Sequence, residues 1–190
     1  MTRTFIALEL NEALQRHLSG MIHQMASALP DLRWVDPTGI HLTLAFLGDL
    51  PDEQLAEAMQ ATEVAAQSIM AFDYRLAHVG IFGSLRQPRV IWIGIEEPAG
   101  TLLRLHRVLN RELELRGFVV ETRPFSPHLT LSRVKNPLNP EEVQTLQRFI
   151  EDKRRFAVSP FYHVSHINVM KSELSRVGAK YTCVKAYSLE

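Results

Sequence analysis

The chain has 190 residues, 46% of them apolar, with 21 basic and 21 acidic side chains and no formal net charge. That balance describes an ordinary globular protein, excludes a disordered chain, and argues against a protein that grips a long nucleic-acid tract through many phosphates. The length suits one domain with a good core. Cys183 is the single cysteine, which excludes an intrachain disulfide and a zinc site built from cysteines, and fits a reducing cytoplasm.

Arg3 to Leu10 reads as a strand. Asn11 then caps a helix reaching Ala28, with Leu14, Leu18, Met21, Ile22 and Met25 on its apolar face. Asp31 to Gly39 is a loop carrying Trp34 and Pro37, and His41 to Leu47 is a strand ended by Gly48-Asp49. A second helix runs from about Pro51 to Gln67. Strands at Phe72–Ile81 and Arg89–Ile95 follow, joined by a turn bearing Gly83. A third helix, roughly Ala99 to Arg116, stops at Gly117. His128–Val134 is a strand, Pro137 and Pro140 mark a loop, and Glu141–Ile150 is a short helix. Final strands lie near His163–Lys171 and Tyr181–Ala186. Hairpin-like strand pairs interspersed with helices indicate an α+β fold with antiparallel sheets. The start of the chain lacks the apolar stretch of a signal peptide, and no run reaches the roughly 18 apolar residues of a membrane helix. Leu189-Glu190 at the end can be read as the stub of a cloning tag.

The tetrapeptide His41-Leu42-Thr43-Leu44 recurs 87 positions later as His128-Leu129-Thr130-Leu131. Each copy follows a proline-bearing turn and enters a strand, so the chain is expected to be one bilobal domain with an internal repeat. Side chains alternate along a strand. His41 and Thr43 therefore share one face, with Leu42, Leu44 and Phe46 on the other, packed under helices. The second copy puts His128, Thr130 and Ser132 on one face and Leu129 and Leu131 on the other. An approximate two-fold between lobes would make two imidazoles and two hydroxyls converge. That set suits metal-independent phosphodiester hydrolysis. One imidazole takes a proton from water and the other gives one to the departing oxygen, while the hydroxyls bind the nonbridging phosphate oxygens.

These paired His-x-Thr-x motifs resemble those of the two-histidine (2H) phosphoesterase superfamily. The flanks, Arg33-Trp34-Val35, Ala45-Phe46-Leu47-Gly48 and Phe125-Ser126-Pro127 before His128, are most similar to its RNA 2′,3′-cyclic phosphodiesterase, or 2′-5′ RNA ligase, family. The resemblance implies a bilobal duplicated fold, with two antiparallel sheets facing a central cleft and helices outside. It implies His41 as proton donor to the leaving O3′, His128 as proton acceptor from water, and a 2′-phosphomonoester product. Thr43 and Thr130 would hold the phosphate, joined by Arg133, although strict alternation sets Arg133 on the face opposite His128 unless a bulge intervenes. No cofactor is implied. The expected partners are RNA or oligonucleotide ends bearing a 2′,3′-cyclic phosphate, tRNA fragments among them, and the expected setting is a cytoplasmic monomer without membrane contact. Reverse joining of ends through a 2′,5′ linkage is also implied, with hydrolysis dominant.

The remaining candidates read as structural. His17, His23 and His106 fall in helices as surface or boundary residues. His78, His163 and His166 have no carboxylate at ligand spacing in the sequence, so no metal site is expected. Trp34 and Trp92 read as core, with base stacking the alternative for Trp34. Lys153-Arg154-Arg155 reads as a solvated edge or an RNA contact. Three functions remain open: the cyclic phosphodiesterase, a 2′,5′-phosphodiesterase or small cyclic nucleotide phosphodiesterase on the same fold, and a non-catalytic nucleotide-binding module.

Overall fold

A computed structural model describes residues 2–152, 159–174 and 179–190. The elements run β1 (Thr2–Glu9), α1 (Glu12–Ala28), a 3-10 turn (Pro37–Gly39), β2 (His41–Leu50), α2 (Asp52–Gln67), β3 (Phe72–Gly83) and β4 (Pro88–Glu96). They continue with α3 (Thr101–Leu115), β5 (His128–Arg133), α4 (Pro140–Glu151), β6 (Tyr162–Val164), β7 (His166–Leu174) and β8 (Ala179–Ser188). Local chemistry explains the boundaries. The Asn11 side chain accepts from Leu14 N at 2.9 Å and starts α1. Asn139 and Glu142 form a reciprocal capping box, so α4 begins at Pro140, a residue expected in the preceding loop. Gly117, at φ 82°, ends α3: Phe118 N donates to Leu113 O and Gly117 N to Glu114 O, a Schellman closure that needs a left-handed residue there.

Two four-stranded sheets form, in the orders β2-β1-β7-β8 and β5-β4-β3-β6, and their strand pairs are antiparallel. The sequence β1-α1-β2-α2 repeats as β4-α3-β5-α4, and each unit sends a later strand, β3 from the first and β7 from the second, into the other unit's sheet. β3 pairs with β4, and β7 pairs with β1. Each half thus completes the other's sheet. The segment expected as one strand over His163–Lys171 is divided by this exchange at Ser165: β6 pairs with β3 in the second sheet, and β7 crosses to β1 in the first.

One hydrophobic cluster spans both halves. Leu14 and Leu18 of α1, Leu105 and Leu109 of α3 and Leu146 of α4 bury against Leu8, Leu42, Ile91, Ile93, Leu129 and Ile167 of the sheets. Burying a side chain of this size contributes about 1.5–3 kcal/mol. Leu189, read as a tag remnant, is buried in the same cluster. Glu190 bonds through its backbone to Ile69 and Ala71. No described helix is long and apolar enough to cross a membrane.

Candidate active site

Each helix-covered sheet has a second face, and both histidine motifs lie there. Directly paired residues point to the same side of a sheet. In the first sheet Leu42 pairs with Leu8 on the core side, and Thr43 pairs with Ala7 on the other. In the second, Leu129 pairs with Ile93 in the core, while Thr130 pairs with Trp92 and His128 with Gly94 opposite it. His41, Thr43, His128 and Thr130 are all half-buried. The two motif strands are tied across the lobes by the segment that leads into His41. Val35 N donates to Leu131 O at 2.9 Å, Ser132 Oγ donates to Arg33 O at 2.9 Å, and Trp34 bridges to Ser132.

The alternation assumed from the sequence breaks at the same place in both copies. Ala7 faces Thr43 and Ile6 faces Ala45, so Leu44 is an extra residue in β2. Trp92 faces Thr130 and Ile91 faces Ser132, so Leu131 is an extra residue in β5. Each bulge follows its histidine by three positions and reverses the phase of what comes after. Three expectations change. Ser132, read as a partner of His128 and Thr130, points into the core and is fully buried. Arg133, set opposite His128 by strict alternation, pairs with Val90 and shares the face of Thr130. Phe46, read as core, pairs with Phe5 on the motif face and is 73% exposed.

The two imidazoles are held alike. His41 Nδ1 lies 3.0 Å from Gly39 O and His128 Nδ1 lies 2.7 Å from Ser126 O, each the carbonyl two residues upstream. A carbonyl only accepts, so Nδ1 carries the hydrogen in both rings. Nε2 is then the nitrogen that exchanges protons. Aromatic walls fix the ring planes. His41 stacks on Phe5, with centroids 4.5 Å apart, and meets the edge of Tyr181 at 4.8 Å. His128 meets Phe82 edge-on at 5.0 Å and Trp92 at 6.1 Å. Sequence reading missed these four braces because aromatic residues on strands look like core. The available signal was their alternation with Ala7, Gly80 and Gly94 on the motif face. Trp92, expected in the core, lies on that face with its ring over Gly80.

Charge distinguishes the halves. Burial pushes the His41 imidazole down to about 4; the Gly39 carbonyl opposes this, and the positive charge of Arg133 adds to it. Arg133 therefore acts across the lobes on the first motif's histidine. No carboxylate pairs with Arg133 among the described residues, and the Thr43 and Thr130 hydroxyls have no protein partner among them. Thr4 and Thr62, by contrast, donate to backbone carbonyls. Two hydroxyls and a guanidinium form a donor-rich setting for an anion, flanked by two Nε2 atoms able to take or, once protonated, give a proton.

The other candidates stand apart. His17 bonds the Tyr162 hydroxyl, and His106 stacks on Phe125 with centroids 3.9 Å apart. His163 does have a carboxylate neighbour: Asp73 Oδ1 lies 2.8 Å from its Nδ1, supplied by the facing strand and so invisible to sequence spacing. His78 leans on Trp92 and His166 on Ser165. No group of three ligand-type residues gathers among the described residues. Trp34 packs against the core and donates from Nε1 to Leu29 O, a structural position rather than a stacking one. Lys153-Arg154-Arg155 lies outside the described residues.

The model of the LigT-like phosphoesterases matches twice, over residues 8–92 and 93–181, with one histidine motif in each match. An RNA 2′,3′-cyclic phosphodiesterase of Methanothermobacter thermautotrophicus is 32% identical over 187 residues, covering 98% of both chains. Another, from Methanocaldococcus jannaschii, is 28% identical over 185 residues, covering 97% of this chain and 99% of its own. A crystal structure from Thermus thermophilus superposes with a TM-score of 0.80 at 28% identity, over 98% of this chain and 97% of that one. E. coli LigT complexed with 3′-AMP shares the fold, with a TM-score of 0.73 at 24% identity, over 99% and 98% of the two chains. With its two antiparallel sheets and paired histidine motifs, the chain belongs to the LigT-like phosphoesterase family of the 2H superfamily.

Proposed function

We propose that this protein hydrolyses 2′,3′-cyclic phosphates at RNA ends to 2′-phosphomonoesters, using His41 and His128 and no metal. The observation that carries the reading is the matched pair of imidazoles. Each has its Nδ1–H committed to a carbonyl and its Nε2 left to exchange protons, beside threonine hydroxyls and Arg133 that lack partners among the described residues. Water attacks phosphorus as His128 Nε2 takes its proton. The P–O3′ bond breaks, and His41 Nε2–H protonates the departing oxygen. Thr43, Thr130 and Arg133 bind the nonbridging oxygens, where charge grows in the transition state. The same ring opening, with an RNA 5′-hydroxyl replacing water as nucleophile, would join ends through a 2′,5′ linkage. We read the chain as one bilobal domain acting as a cytoplasmic monomer on RNA termini, tRNA fragments included.

One observation favours the opposite division of labour between the histidines. Titrating near 4, His41 is neutral in the free protein at pH 7 and fit to accept a proton. The donor role survives if the bound phosphate, an anion set beside the imidazole and Arg133, raises His41 in the complex.

The test is a short RNA ending in a 2′,3′-cyclic phosphate, incubated in EDTA, with the product identified by mass and by its sensitivity to phosphatase and alkali. A 2′-phosphate formed at full rate in chelator is expected. Activity that depends on added metal, or nucleotide binding without turnover, sinks the reading.

A further inference from the structure

A third bulge brings a third histidine to the motif face. Leu76 pairs with Ile95 and Val79 with Ile93, so Ala77 and His78 together stand opposite Gly94. Val79 is buried in the core, and alternation sets its neighbour His78 on the other side of the sheet. The His78 ring meets the edge of Trp92 there, with centroids 5.6 Å apart. On its other side Gly94 pairs with His128. A glycine therefore separates the two histidines, and no side chain stands between them in that row. They lie two strands apart, about 9–10 Å between backbones.

The direction of this row has a chemical meaning. β2 and β5 are edge strands of their sheets and touch each other. The order across the motif face is therefore His41 on β2, His128 on β5, Gly94 on β4 and His78 on β3. His78 lies beyond His128, on the side away from His41. In the reaction proposed above, O3′ departs at His41 and the nucleophile arrives at His128. The attacking and leaving oxygens are in line through phosphorus, so whatever the attacking oxygen carries extends past His128 toward His78. Water carries nothing there. An RNA 5′-hydroxyl carries a nucleoside and then a 3′-phosphate. His78 is exposed, and its ring makes no hydrogen bond among the described residues. His17, His106, His163 and His166 each bond a side chain instead. An imidazole always has an N–H to donate, and phosphate oxygens are strong acceptors.

We infer that the strip from Gly94 to His78 binds the nucleotide that bears the attacking 5′-hydroxyl, with His78 holding that nucleotide's 3′-phosphate. This rests on the function proposed above and gives the joining reaction a subsite of its own. In joining, the O5′–P bond forms as His128 takes the hydroxyl proton, and the P–O3′ bond breaks as His41 protonates O3′. Cleavage of the 2′,5′ linkage retraces these steps, re-forms the cyclic phosphate and frees the 5′-hydroxyl.

The experiment follows that cleavage on 2′,5′-linked diadenosine, with and without a phosphate on the 3′-oxygen of the 5′-linked adenosine. Wild type, His78→Ala, His78→Phe and His78→Arg are compared, and hydrolysis of adenosine 2′,3′-cyclic phosphate, which places nothing beyond His128, is the control. Wild type should cleave the 3′-phosphorylated dimer with the higher kcat/KM. His78→Ala and His78→Phe should lower that value by about 10-fold, and His78→Arg should restore it. On the other dimer and on the cyclic phosphate all four should behave alike. His78→Phe keeps a ring against Trp92, so wild-type behaviour of that variant overturns the proposal in favour of packing. An equal loss on the cyclic phosphate also overturns it, because His78 would then act through Trp92 and His128. So does a wild type that hydrolyses the cyclic phosphate yet cleaves neither dimer, or cleaves both alike. If wild type turns over none of the three, the hydrolytic reading fails separately. Calorimetry with the two dimers then decides: tighter binding of the 3′-phosphorylated one, lost in His78→Ala, supports the subsite, and equal binding refutes it.

Discussion

At the scale of single residues, burial and the Arg133 charge hold His41 neutral, while the Gly39 carbonyl, accepting from Nδ1, favours the imidazolium. Burial is the largest influence, and the group titrates near 4. The sign of this shift has a kinetic consequence. The profile of kcat/KM reports free enzyme and that of kcat reports the complex. If His41 donates the proton, the free protein holds the required form only below about pH 4. A bound phosphate anion raises that limit. The descending limb of kcat should therefore lie at higher pH than that of kcat/KM. Limbs that coincide, or a kcat/KM that instead rises through pH 4, would assign His41 the acceptor role. The same shift bears on stability. Between the ordinary imidazole range and pH 4 the unfolded chain takes up a proton that the folded site refuses, so this group's contribution falls as pH falls through that window.

At the scale of elements, pairing geometry decides which side chains become functional. Gly80 faces Trp92 across the β3–β4 ladder, and a Cβ on it would meet the indole at 2.3 Å. The indole stands 6.1 Å from the His128 ring, so Gly80→Ala should move the wall that orients the imidazole. We expect a stability loss of about 1–3 kcal/mol, as for other overpacked sites, and a larger fall in kcat than in substrate affinity. Unchanged kcat at unchanged melting temperature would show that Trp92 does not position His128. Pairing also explains what the sequence made legible. The four helices and both motif strands were readable because apolar periodicity, Asn11 and Gly117 are local signals. The bulges at Leu44 and Leu131 were not, because an extra residue shows only against a partner strand. With them went the true faces of Phe46, Ser132 and Arg133. The break at Ser165 escaped for the same reason: β6 and β7 read as one extended run, and only their partners, β3 and β1, separate them.

At the scale of the whole molecule, the duplication and the strand exchange unite two incomplete halves. Each motif strand lies in a sheet completed by the other half, and Ser132 and Val35 tie the motifs' flanks together. Neither half alone holds both motif histidines, which is why one copy of the tetrapeptide says little and two copies say much. Catalysis from such a site should behave as a unit, because a proton taken at one end of the phosphate is useful only if one is given at the other. The most direct measurement is single-turnover hydrolysis of an RNA 2′,3′-cyclic phosphate in EDTA by wild type, His41→Ala, His128→Ala and the double variant, with folding checked by circular dichroism. Either single substitution should reduce the rate by at least about 10²-fold, as removal of a general acid or base does. The double variant should then be little worse than either single one. A single variant that keeps near-wild-type turnover, or a double variant whose loss is the full product of the two, would contradict paired action of His41 and His128.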